Sequence, residues 1–355
     1  MRVARALGGP ERVLRDSPAR LDQAGAPRSL LEALRQRPDA GAIDGEIEAA
    51  KRAGAEIVDF DDPRYPRVLR FIPDPPPVLY VRGTLISDDS LAVAVVGSRD
   101  ASPYGLAAAD VIARGLAARG VTVVSGLAIG IDGAAHRAAL AGGGRTIAVL
   151  GCGIDRIYPP RHARLAGEIA ERGAVISEFP IGAPPLAHHF PRRNRIVSGS
   201  SLCVVVVEGS ERSGSMITAR LGNDQGRVVC AVPGEIGLAR TRGTHRLLRA
   251  GAVLVESGDD VIAEVVPWLL EPSGEIGEGS RSLAGLGQDA TRLLECFDAT
   301  VLPIDRLVEK SGLSPERALE VLFELEIAGR VRRHPGMTFS RSREGGGMAS
   351  AAKLR

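Results

Sequence analysis

Lysine and aromatic residues are scarce in this chain: only Lys51, Lys310 and Lys353 occur in 355 residues, and phenylalanine, tyrosine and tryptophan together make up 3%. Positive charge therefore rests almost wholly on arginine, a bias that codon usage explains as well as function does. The formal net charge is +2, which excludes a protein that coats polyanions with its whole surface; any nucleic-acid surface must be local. Four cysteines, Cys152, Cys203, Cys230 and Cys296, stand singly, with no C-x-x-C pair and no histidine at ligand spacing. The expectation is reduced, buried thiols in a cytoplasmic protein, without a disulfide framework or a metal site. No apolar run reaches membrane-spanning length and no signal peptide is visible, so a soluble protein with no membrane contact is expected.

Three catalytic signatures are also missing. The first strand runs into Gly97-Ser98-Arg99-Asp100-Ala101-Ser102-Pro103-Tyr104-Gly105, which lacks the G-x-G-x-x-G that lets a dinucleotide pyrophosphate approach. No G-x-x-x-x-G-K-[ST] occurs, which excludes a P-loop hydrolase. Ser98, Ser125, His136, His188, Asp132 and Asp155 supply triad residue types without a nucleophile elbow. Asp132 and His136, four apart on one helix, read as a capping aspartate and a partly buried histidine ahead of an acid-base or metal pair. No catalytic residue and no cofactor is expected.

What is present centres on Phe179 to Val207, a stretch of 29 residues without an acid that carries His188, His189, Arg192, Arg193 and Arg195 and ends in LCVVVV. Such a continuous apolar run fits a strand buried on both faces of a parallel sheet, so a cationic segment is tied to the core. Two readings stay open from this stretch alone: arginines paired with acids elsewhere on the surface, or an anion site. Phe190 adds a stacking face beside the charge, and Pro191 and Asn194 suggest a turn entering a helix.

The rest of the chain reads in order. Residues 1 to about 55 read as short helices, the body of a module bounded at 1–58, and 56–83 as a proline-rich extended connector that crosses onto the next domain. From Leu91 a strand, glycine-turn, helix pattern repeats, with apolar runs at 91–97, 121–126, 146–151, 174–179, 202–209, 228–234 and 252–258. That alternation implies an open, mostly parallel, doubly wound Rossmann-like sheet, in which ligands bind beyond the carboxyl ends of the strands. Small residues gather at those ends, as in Gly97-Ser98-Arg99, Ser125-Gly126, Gly151-Cys152-Gly153, Glu208-Gly209 and Pro233-Gly234. Ser213-Gly214-Ser215 opens a helix whose N–H groups and dipole suit an anion. A linker at 271–287 leads to a unit at 288–340 with winged-helix grammar, and 341–355 reads as a disordered tail.

The ordered set GSR, SGLAIGIDGAAH, LGCGID, YPP, SEFP, FPRRNRIVSG, VEGSERSGSMITA, VPG and GTHRLLRAGA resembles the DNA-processing protein A family (DprA/Smf) over roughly Asp59 to Glu264. The resemblance implies a core at 59–270 between a small helical module and a winged helix. By that resemblance the helical module is expected to be shorter than in other members, beginning inside its first hairpin, and the resemblance carries a function as well. It implies a non-enzymatic, homodimeric binder of single-stranded DNA that protects incoming strands during natural transformation and helps load the RecA recombinase. Carried over by motif, the DNA-binding positions are Gly97, Ser98, Arg99, Ser125, Gly126, Arg192, Arg193, Asn194, Arg195, Ser213, Gly214 and Ser215, with Phe190 as the base-stacking candidate.

Two rival classes remain. A nucleotide phosphoribohydrolase of the lysine-decarboxylase-like type shares such a sheet but uses a P-G-G-x-G-T-x-x-E loop, where this chain has E-G-S-E-R-S-G-S-M-I-T-A. A transcription regulator would work through its winged helix. Against that, the third helix of this unit, capped by Ser314 and Pro315, carries Glu316, Glu320, Glu324 and Glu326 against Arg317 and Arg330. Carboxylates at two phosphate walls are repelled, so this unit is expected to contact protein.

Overall fold

The structure is a computed structural model that describes residues 13, 18–35, 40–269, 288–297, 302–327, 330–334 and 337–341. The expected linker at 271–287, the tail beyond Arg341 and the first helical segments before residue 13 lie outside the described residues. Among the described residues no helix is long and apolar enough to cross a membrane.

Three helices come first, α1 (Pro18–Gln23), α2 (Arg28–Arg35) and α3 (Ala40–Arg52). The connector at 56–83 differs from expectation, because it supplies two strands of the main sheet, β1 (Glu56–Asp59) and β2 (Val78–Gly83). They pair antiparallel with each other, and β2 pairs antiparallel with the sheet, Tyr80 opposite Ser177. The prolines that argued against strands stay outside them: Pro73, Pro75, Pro76 and Pro77 all precede β2, where a missing N–H breaks no ladder bond.

The seven apolar runs all become strands: β3 (Ala92–Val96), β4 (Thr122–Ser125), β5 (Thr146–Val149), β6 (Ala174–Ser177), β7 (Cys203–Val206), β8 (Val228–Ala231) and β9 (Val253–Leu254). The nine-stranded sheet has the order β1-β2-β6-β5-β4-β3-β7-β8-β9, and β6 through β9 in that order run parallel. Interleaved with these strands are α4 (Pro103–Ala118), α5 (Ile131–Ala141), α6 (Ala163–Arg172), α7 (His189–Gly199), α8 (Gly214–Asp224), α9 (Arg242–Arg249) and α10 (Gly258–Leu269).

Period-two alternation along β3 divides the core. Val93 and Val95 pack with Ile112 and Leu116 of α4 and with Ala135 and Ala138 of α5, whereas Ala94 and Val96 pack with Ile196 and Val197 of α7 and Ala219 of α8. Ala109, Ile112, Ala113 and Leu116 recur at helical spacing and are fully buried, each large side chain contributing about 1.5–3 kcal/mol. The start of α4 is fixed from two sides. The Ser102 hydroxyl accepts from the Gly105 N–H at 3.0 Å, and Glu208, beyond the end of β7, accepts from the Ser102 N–H at 2.9 Å and its hydroxyl at 2.8 Å.

The C-terminal unit has α11 (Gln288–Glu295), α12 (Ile304–Ser311) and α13 (Pro315–Ile327) over a three-stranded sheet of β10 (Leu302–Pro303), β11 (Val331–His334) and β12 (Thr338–Arg341), ordered β10-β12-β11. Leu293, Leu307, Ala318, Val321, Leu322, Leu325 and Phe339 form its core. Ser314 caps α13 by accepting from the Arg317 N–H at 3.2 Å.

His136 of α5 is wholly buried. The Thr146 hydroxyl donates to the Val123 carbonyl at 2.7 Å, so His136 Nδ1–H donates to that hydroxyl at 2.6 Å, which leaves Nε2 buried without a partner. A proton there would be desolvated, and burial pushes the imidazole from its ordinary 6.5 down to about 3. The folded-state pKa is depressed, so the unfolded chain takes up the proton first as pH falls; stability is full above pH 6.5 and is lost toward pH 3. Urea unfolding of the wild-type chain should therefore lose about 1.4 kcal/mol per pH unit from this group in that window, and His136→Met should remove that component of the slope.

Candidate nucleic-acid interface

Strand order reverses between β3 and β7: β4, β5 and β6 follow on one side of β3, while β7, β8 and β9 follow on the other. Loops leaving the carboxyl ends of β3 and β7 therefore diverge, and a doubly wound sheet opens its crevice at that point. A cleft of about 630 Å³ lies there. Its lining includes Gly97, Ser98 and Arg99 after β3, Gly126 and Ala128 after β4, and Phe190, Arg193, Asn194 and Val197 of α7. Ser213, Gly214, Ser215 and Thr218 close it from the start of α8.

Helical phase decides what each α7 residue does. Phe190, Asn194 and Val197, at i, i+4 and i+7, share the face turned to the cleft. Arg192 and Arg195, three apart, share another face and both reach Glu178. Arg195 donates to Glu178 at 3.1 and 2.8 Å and to Asp74 at 3.2 Å, and Arg192 donates to Glu178 at 3.1 Å while lying over the Phe179 ring. Their placement corrects the expectation of three arginines in one groove: Arg195, 8% exposed, is committed to an ion pair, and neither it nor Arg192 lines the cleft. On this side half-buried His189 stacks on Phe179 at 4.1 Å, and exposed His188 meets it edge-on at 4.5 Å.

Arg193 enters the cleft floor. It is 4% exposed, and its Nη1 donates to the carbonyls of Gly126, at 2.6 Å, and Val149, tying together the ends of β4 and β5. Burial pushes its pKa down to about 10, against the attraction of Asp132 and with the repulsion of Arg99. Asp132, at the start of α5, accepts from the Gly126 N–H at 3.1 Å and the Ala128 N–H at 3.4 Å. It does not cap α5, whose N-cap is Gly130 without a side-chain cap bond, and so corrects the capping aspartate expected from sequence: it braces the loop after β4 instead. Burial raises its pKa and Arg193 opposes that rise. Glycine is needed at 126 because a Cβ there would occupy the space of the Arg193 guanidinium, and at 151 because it would meet the Phe190 ring at 2.9 Å.

At the lip, exposed Arg99 lies over the Phe190 ring at 5.4 Å, and Tyr158 packs against the other part of that ring at 5.6 Å. Tyr158 was not among the residues anticipated; its place in a proline-rich loop between β5 and α6 gave no periodic signal. Opposite, the hydroxyls of Ser213 and Ser215 bond each other at 2.7 Å, and Asn194 donates to the Gly214 carbonyl at 3.4 Å. Ser125 is a second correction. Its side chain is fully buried and donates to the Val95 carbonyl at 2.7 Å, so it does not reach the cleft.

Sheet, cleft and C-terminal unit together define a Rossmann-like α/β protein carrying a winged helix. The sequence places it more narrowly: the chain belongs to the DNA recombination-mediator protein A family, whose model matches residues 56–266, and the DprA winged helix domain model matches residues 278–337. It is 43% identical over 284 residues to Protein Smf of Escherichia coli strain K12, covering 79% of this chain and 76% of that one. It is 45% identical over 203 residues to the DNA processing protein DprA of Streptococcus pneumoniae, covering 57% and 72%. Among solved structures, DNA processing protein A of S. pneumoniae superposes with a TM-score of 0.65 at 37% identity, covering 74% of this chain and 92% of that chain. DNA processing protein A of Helicobacter pylori, solved for its single-stranded DNA binding mode, superposes at 0.54 with 29% identity, covering 61% and 98%.

Glu178 compensates Arg195 almost out of water, its side chain being 3% exposed. Glu178→Ala should lower unfolding stability by about 3 kcal/mol in urea titration, because it strands a buried guanidinium with only the exposed Asp74 beside it.

Proposed function

We propose that this chain binds single-stranded DNA through the cleft without regard to sequence. The observation that carries the reading is the pairing at the lip. Arg99 makes no ion pair among the described residues and lies against an aromatic face, in the same cleft as the N-terminus of α8. A guanidinium and helix N–H groups suit phosphates, and a ring set in a cleft suits an unpaired base but not one stacked inside a duplex. The H. pylori relative, described for its single-stranded DNA binding mode, supports the same reading.

Amides, hydroxyls and guanidiniums recognise the backbone that all sequences share, so specificity should be low. On this reading the chain is a homodimer that acts in natural transformation, protecting incoming strands and helping to load the RecA recombinase. The acidic α13 supports a protein-contacting role for the winged helix: Glu316, Glu320 and Glu324 are exposed, and Arg317 is already paired with Asp289 at 2.9 Å and Glu320 at 3.1 Å. A major-groove helix would present the opposite charge.

Fluorescence anisotropy with a labelled oligonucleotide, titrated in salt beside its duplex, tests the proposal. The single strand should bind more tightly, with a log K against log salt slope of about −0.7 per phosphate neutralised. Arg99→Ala should weaken all sequences alike and flatten the slope by about 0.7. Equal duplex affinity or a flat salt response overturns the reading.

A further inference from the structure

Beyond the lip of the cleft the surface opens again. A separate pocket of about 310 Å³ is lined by Arg99, Asp100, Ala101, Leu106, Ile129, Gly130, Arg137, Arg161 and His162. Arg99 and Asp100 belong to both openings. The partition between them is thin. Gly130 has φ +78°, and a Cβ there would collide with the backbone oxygens of Ser98 and Arg99; the Ile131 N–H donates to the Ser98 carbonyl at 3.1 Å. The turn carrying Arg99 is thus pinned to the start of α5, and its side chain stands at the passage between the pockets.

Three arginines meet there against one carboxylate, Asp100. Arg137 is the exposed neighbour of buried His136 on α5, and Arg161 is exposed in the short turn Pro160–His162 before α6. Arg99, Arg137 and Arg161 form no ion pair among the described residues, whereas Arg145, Arg195 and Arg119 are each held by an acid. His162 spends its Nδ1 on the Leu127 carbonyl at 2.9 Å. Leu106 and Ile129 add an apolar edge on which a sugar or base can lie. Guanidiniums gathered on one lining repel each other, and an arriving polyanion relieves that repulsion.

We propose that the pocket framed by Arg99, Arg137 and Arg161 is a second phosphodiester subsite, into which a single strand leaving the first cleft continues past Arg99. It rests on the single-strand reading above and extends it by two named phosphate ligands, Arg137 and Arg161. Neither side chain anchors the fold, so removing them tests binding alone.

The test is the same salt-titrated anisotropy on the full chain with an oligothymidylate of roughly 20 nucleotides, long enough to run through both openings. Arg137→Ala/Arg161→Ala should weaken binding about ten-fold and flatten the salt slope by about 1.4, the equivalent of two phosphates. Arg137→Lys/Arg161→Lys should keep the wild-type slope. Arg164→Ala, which removes an arginine 93% exposed on α6 outside the pocket, should bind like wild type. An alanine pair with unchanged affinity and slope, a lysine pair that loses the slope, or an equal loss in Arg164→Ala overturns the subsite while leaving the first cleft standing. A wild-type chain that binds no single strand overturns both.

Discussion

A guanidinium held out of water organises this protein. Arg193 reaches from α7 across the sheet end to the carbonyls of Gly126 and Val149, so one side chain fixes the ends of β4 and β5 and the angle of α7. That angle is what turns Phe190 and Asn194 toward the cleft. The buried charge is tolerated because two carbonyl dipoles and the Asp132 carboxylate offset part of the desolvation, which still lowers its pKa. Asp132 in turn accepts from the backbone N–H groups of the loop after β4, so the loop, the start of α5 and the cleft floor form one hydrogen-bonded unit.

The seven parallel strands were legible because burial on both faces of the central ones leaves few polar positions, and a run such as LCVVVV stands out from its surroundings. The two antiparallel strands were not. β1 buries only Val58 of its four residues, and β2 begins directly after three prolines, so proline density masked the short buried run of Leu79, Tyr80 and Val81. Where a strand covers the sheet edge, its pattern is weak and its neighbours decide.

At the site, the strand-end loops could be read and the allotment of arginines could not. Small residues mark a turn wherever it lies, but Arg192, Arg193 and Arg195 are separated by helical phase, which a charge count ignores. The two readings left open by the sequence divide between residues: Arg192 and Arg195 pair with an acid, whereas Arg193 lines the cleft where the proposed function puts an anion. The acid is Glu178, the residue immediately before the acid-free stretch. Glycines carried a second meaning as well. Gly126 and Gly151 leave room for the protein's own Arg193 and Phe190, so their presence reports how closely those side chains pack and not only how closely a ligand approaches.

The cleft therefore holds two kinds of positive charge with separate work. Arg193 is buried and commits Nη1 to carbonyls; its contribution is a field from a poorly solvated floor, where attraction to an anion is screened less than at the surface. Arg99 is exposed, rests on the Phe190 ring through an interaction worth about 0.5–1 kcal/mol at such sites, and can leave it for a phosphate at little cost. A field without direction and a guanidinium without a fixed partner both tolerate variation in what they hold. The ring of Phe190, which has no hydrogen-bonding group, is the aromatic face beside them. On the proposed reading, indifference to base sequence follows from the chemistry of the side chains that were placed there, because those that carry charge meet the backbone and the one that meets a base cannot tell which base it is.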